Sequence, residues 1–142
     1  MVGQSSRGTT IPASRPSFGA GTSDRDLRQY ATVRSINNTP QPFWAKQISQ
    51  AYVDQLDLSK EIVQAVPDDL PDVEIVARME VAARLINANL GFRVLTAGWG
   101  DFDSHAGQAN QHRDRMTEMN SAIQRFFQIL DPAWVNRVTF MT

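Results

Sequence analysis

The chain contains no cysteine. A disulfide framework, a thiolate zinc site, an iron–sulfur centre and a cysteine nucleophile are all excluded, and cysteine usage gives no redox compartment. It also lacks an excess of either charge, since 14 Lys and Arg stand against 15 Asp and Glu for a net charge of −1. Proteins that bind nucleic acid or a membrane surface carry a basic surplus, so nucleic acid is not an expected partner. No apolar run approaches the roughly 18 residues of a membrane span. Residues Met1–Ala20 hold no apolar stretch like that of a secretory signal. A glycine-rich phosphate loop and a Gly-x-Ser-x-Gly nucleophile elbow are missing as well.

What is present is a globular composition: 142 residues, 42 % hydrophobic and 20 % charged, with a length that fits one domain. Residues 1–42 read as a loop-rich, weakly structured segment. Ser, Thr, Gly and Pro crowd Met1–Ser23, too little apolar surface to offset the entropy of ordering. Leu27, Tyr30, Ala31 and Arg34 predict a short helix over Asp24–Arg34. Asn37-Asn38-Thr39-Pro40-Gln41-Pro42 then breaks the chain.

Residues 43–142 read as a partial α/β domain, with helices over 43–90 and a βαβ unit over 92–142. Phe43, Trp44, Ile48, Ala51, Tyr52 and Leu56 form an apolar stripe. Ser59 stands where the N-cap of a shorter helix ending before Pro67 belongs. Pro71 fits the first turn of the next helix, whose buried face is expected at Val73, Val76, Ala77, Val81, Leu85 and Ile86, with Gly91 closing it. Phe92–Ala97 and Val138–Met141 read as buried strands. Between them, Ala109–Leu130 repeats apolar or amphipathic residues at Ala109, His112, Met116, Met119, Ile123, Phe126 and Leu130. Strand, helix, strand implies a parallel crossover. Two strands fall far short of a covered parallel sheet, so the sequence reads as a fragment of a larger α/β domain.

Chemistry concentrates in Gly98–His112. Asp101, Asp103 and His105 alternate, and extended backbone puts residues two apart on one side. At the carboxyl end of a strand, where open α/β sheets bind ligands, these side chains can converge on a divalent ion such as Zn²⁺, Mn²⁺ or Mg²⁺. A calcium hand is rejected, because its glycine and closing glutamate are missing. Asp103 or Ser104 can equally serve as a helix cap. His112, two turns beyond His105, reads as a helix-face residue or as an outer partner that orients a ligand. Trp99 either packs beneath the loop or walls a pocket. Ser104 and His105, adjacent in the chain, do not make a nucleophile–base pair on spacing alone.

Gly98-Trp99-Gly100-Asp101-Phe102-Asp103-Ser104-His105-Ala106-Gly107-Gln108 resembles the Gly-(Phe/Trp)-Asp-Thr-His-x-x-Gln signature of the bacterial domain of unknown function 1501 family, a branch of the alkaline-phosphatase and sulfatase superfamily. The resemblance runs through Ala82–Asn87 and Met116–Thr142, covers roughly residues 70–142, and departs mildly at Ser104, where the family has threonine. It implies an alkaline-phosphatase-like parallel-sheet fold and marks Asp103 and His105 as metal-site residues. Gln108 is a motif residue beside the site, and Asp101 and His112 carry weaker support. In the family a Ser-Glu-Phe-Gly-Arg segment follows the position of Thr142, and a Gly-Thr-Asp-His-Gly segment comes later. The expectation is therefore an incomplete piece of a metal-dependent hydrolase of phosphate or sulfate esters, small or polymeric. Such a piece supplies one corner of the metal site, needs the remainder of the parent domain, and is unstable and inactive alone. The resemblance also implies an exported parent. The competing expectation is a non-catalytic structural or binding module of an extracytoplasmic assembly.

Overall fold

Ser23 begins the first helix by accepting the amide of Asp26 on its hydroxyl at 3.2 Å, and Asp24 and Asp26 place negative charge at the positive end of the helix. The computed structural model describes residues 21–100, 102–103 and 106–142. Among them the regular structure is helical: α1 (Asp24–Asn37), α2 (Phe43–Ala65), α3 (Glu74–Asn87), α4 (Gln108–Ile129) and a 3-10 turn, Val135–Arg137. They fall into two compact units, divided between Gln64 and Ala65.

In the first unit α1 outruns its expected end at Arg34 and stops at Asn37. Tyr30 Oη donates to Asp57 Oδ1 at 2.5 Å, and Arg34 Nη2 donates to Asp57 Oδ2 at 3.0 Å. Lys60 Nζ lies 3.3 Å from the centroid of the Tyr30 ring, a cation–π contact. Asn37, buried at the turn, donates through Nδ2 to Gln50 Oε1 at 3.0 Å and accepts from Ser49 Oγ at 2.8 Å. Its carbonyl accepts from Lys46 Nζ. Tyr30 pairs with Asp57 and Asn37 with Gln50, so α1 and α2 form an antiparallel hairpin.

α2 is one helix, not two. Without glycine or proline between Phe43 and Ala65 nothing interrupts it, and Ser59 lies buried in its interior instead of capping a second piece. It ends one residue before Val66, which Pro67 biases away from helical backbone. Of the expected apolar face only Leu56 is buried, beside Val53 and Ile62, while Phe43, Trp44, Ile48 and Tyr52 are exposed.

In the second unit α3 starts at Glu74, three residues beyond Pro71, with Val73 as its extended N-cap. Its buried face is Ile75, Met79, Glu80, Ala83 and Leu85, and Val73 is exposed. Asn89 takes the left-handed conformation (φ 53°) directly after the Ala88 C-cap, with Gly91 (φ 81°) two residues later. Ile75, Met79 and Ala83 pack with Ala122 and Phe126 of α4 and with its C-cap Leu130, both sets at a spacing of four. Glu80 meets Arg125, and Asn87 meets the backbone of Ile129 and Asp131. Both pairings advance in the same sense, so α3 and α4 lie parallel and the chain between them must return past α3.

The expected βαβ unit is corrected here. Its helix is present, but Phe92–Ala97 and Val138–Met141 form no strand, and no sheet exists among the described residues. An apolar run specifies burial, not pairing. A parallel pair also needs covered faces and further strands. Val94 is 79 % exposed and Met141 89 % exposed, so neither segment is covered in that way. Val138 packs on the helical core instead, and Phe140 meets Phe126 with ring centroids 6.1 Å apart. The α/β fold expected for this chain is therefore replaced by helical units.

Candidate functional site

The segment from Gly98 to His112 departs from the returning chain and feeds α4. It is tied to the second unit at three points. Arg78, on α3, donates through Nη1 to the carbonyl of Gly98 and through Nη2 to Glu74. Trp99 packs against the α3–α4 core, which settles its two open readings in favour of packing. Its indole N–H is buried without a hydrogen-bond partner. Phe102 meets Trp99 edge to face, with centroids 4.7 Å apart and planes at 90°, and meets His112 at 6.1 Å and 67°.

Gly107 is the N-cap of α4, in left-handed backbone (φ 67°, ψ 26°), and makes no side-chain cap bond. Its carbonyl accepts the amides of Asn110 and Gln111 at 3.1 and 3.2 Å. That conformation suits glycine, which has no Cβ to collide with the following carbonyl. Asp103 is therefore not the cap. It is an exposed residue ahead of the helix, and Gln108 is the first helical residue, also exposed.

Asp101 and His105, together with Ser104, lie outside the described residues. His112 is an exposed residue of the second turn of α4, and its ring faces Phe102 rather than the core. The described residues thus bring Trp99, Phe102 and His112 together, with Asp103 beside Phe102 in the chain. No group of three His, Asp or Glu side chains among them is placed to hold a metal ion. Phe92–Ala97 forms no strand, so no strand end positions Asp103.

Two features escaped the sequence reading. One is the aromatic chain Trp99–Phe102–His112, announced only by aromatic spacing. The other is the buried carboxylate of Glu80, which accepts from Arg84 Nε and Nη2 at 2.8 and 2.6 Å and from Arg125 Nε at 2.7 Å. Burial alone would raise its pKa, but the two guanidiniums outweigh that cost and hold it below the ordinary glutamate value. The i, i+4 spacing of Glu80 and Arg84 was its visible signal.

No family model, curated protein or solved structure matches the chain. The resemblance of Gly98–Gln108 accordingly stays with the motif residues themselves.

Proposed function

We propose that this chain is part of a metal-dependent hydrolase of phosphate or sulfate esters, and that the Gly98–Gln108 loop supplies one corner of its metal site. Asp103 and His105 are the ligands in this reading, Asp101 a further carboxylate, and Gln108 and His112 outer partners that orient them. The position of Asp103 carries the reading. It is exposed in a segment held at Gly98, Trp99 and Phe102, ahead of the helix that Gly107 caps. Carboxylate and imidazole suit Zn²⁺, Mn²⁺ or Mg²⁺, which would polarise a phosphoryl or sulfuryl oxygen. This chain's own part is to hold donors ready at the loop.

Mn²⁺ added to the isotopically labelled chain tests this, because a paramagnetic ion broadens nearby amide resonances even at low occupancy. The expected result is broadening centred on residues 101–107, lost in Asp103→Ala and in His105→Ala and retained in Ser104→Ala. Broadening that survives in both the Asp103 and His105 variants, or that never appears at the loop, overturns the proposal.

A second reading rests on a different observation. Phe43, Trp44, Ile48 and Tyr52 leave an apolar face of α2 in solvent, with Trp44 75 % exposed, and such patches mark interaction sites. A non-catalytic binding module of an extracytoplasmic assembly would use that face. Replacing Trp44 and Ile48 with serine should then abolish assembly and leave Mn²⁺ broadening at the loop unchanged.

A further inference from the structure

Between Phe43 and Val53, α2 carries a single charged residue, Lys46. Its ammonium is turned into the hairpin, where Nζ donates to the Asn37 carbonyl. The helical repeat gathers Trp44, Gln47, Ile48, Ala51, Tyr52 and Gln55 on one exposed side. That side runs for about three turns without a charge. Phe43 meets Trp44 edge to face, with centroids 5.1 Å apart and planes at 73°, so the indole loses little freedom on docking. Phe43, Trp44, Ile48 and Tyr52 are 66, 75, 68 and 54 % exposed. Aromatic side chains bury about 150–250 Å² each, so the four present roughly 500 Å² of apolar surface.

Charge and area together select the occupant. A face without charge is met at least cost by another that has none to desolvate, and a second copy of this chain supplies one of equal size. Two copies bury roughly 1,000 Å² between these four side chains, the threshold of a specific interface, and Gln47, Ala51 and Gln55 add to it. Obligate dimers bury more than about 2,000 Å², so this pair is a reversible one. Parallel helices would set the positive ends of both dipoles together and Trp44 against Trp44. Antiparallel helices centred on Ile48 instead set each Trp44 against Ala51 of the other copy, a large side chain over a small one. We infer that a second copy of this chain covers the N-terminal half of α2, antiparallel about a two-fold axis at Ile48. The inference supplies the partner for the apolar-face reading above and rests on it.

Sedimentation velocity of the full chain over a concentration series tests it, for wild type, Ile48→Lys, Ile48→Glu and an equal mixture of the two variants. Wild type is expected to pass from monomer to dimer as concentration rises. Ile48 is exposed, so either charge is tolerated in the single chain, and the helical signal should stay unchanged. At the axis each charge meets its own like. Each variant alone should therefore dimerise at least about tenfold more weakly. The mixture should regain the dimer, because lysine then faces glutamate. A wild type that stays monomeric at every concentration, a dimer undiminished in either variant alone, or a mixture that remains monomeric overturns the inference. Broadening of the Trp44 indole resonance by a soluble paramagnetic probe separates that failure from failure of the reading beneath it. A monomer whose Trp44 broadens leaves the face open to a different protein and overturns the second copy alone. A monomer whose Trp44 is shielded has the face covered by its own chain, which overturns both.

Discussion

Arg125 on α4 donates through Nε to Glu80 on α3 at 2.7 Å, and Glu80 is 1 % exposed. A carboxylate so deep in a two-helix contact is tolerable only because Arg84 engages its other oxygen. Removing the charge leaves two guanidiniums facing a neutral group. Glu80→Gln is expected to cost about 3 kcal/mol, the lower end for a broken buried pair because both arginines reach solvent. Urea melts of the two proteins check it. The pH dependence has a definite sign. The folded pKa is depressed, so the stabilisation is complete above the ordinary glutamate value of about 4.3 and is lost as pH falls below it. Glu80→Gln should flatten the acid limb of the stability profile.

The core of the second unit lies at the C-terminal half of α4. Phe126→Ala should cost about 3–5 kcal/mol, as a cavity among Ile75, Met79 and Leu130. Met116 sits on the same expected stripe but is 39 % exposed, and Met116→Ala should cost less than about 1 kcal/mol. Equal losses at the two positions would contradict this placement of the core.

Gly107 tests the start of the same helix. An added Cβ meets no atom within 4 Å, so any penalty in Gly107→Ala comes from the positive φ alone, about 1–2 kcal/mol. Thermal melts should show that loss.

Tyr30 marks the α1–α2 hairpin. Its hydrogen bond to Asp57, then burial, raises its pKa above the ordinary tyrosine value. The stabilisation is therefore full below about pH 10 and is lost as pH rises through the raised value. Tyr30→Phe should cost about 1 kcal/mol at neutral pH and remove that alkaline dependence. Absorbance titration of the phenol, beside melts of both proteins, checks each part.

The helices were legible where their boundaries are chemical. Pro67 and the long period of α4 announced themselves, and α4 begins at Gln108, one residue before its expected start at Ala109; the Ser23 cap did not stand out from the polar stretch before it. Which face turns inward was less legible. The expected stripe ran from Trp44, Ile48 and Tyr52 to Leu56, and only Leu56 lies with Val53 and Ile62 on the buried side; both rows are apolar, and period alone does not choose between them. The strands failed for another reason. Phe92–Ala97 has the composition of a strand, but pairing depends on a partner edge that no local pattern supplies. The loop's residues could be named from spacing, while its anchor at Arg78 could not, because nothing in the sequence ties position 78 to position 98.

The parallel arrangement of α3 and α4 bears on how fast each unit forms. The hairpin closes across residues 38–42, a span that brings its helices together quickly. Glu80 and Arg125 are 45 positions apart, and no part of their shared core exists until the intervening chain has doubled back. That closure entropy comes before any compensating contact, which raises the contact order of the second unit and slows its assembly. In kinetic experiments the first unit should acquire its helical signal early. Burial of Phe126 should follow as a separate, slower phase.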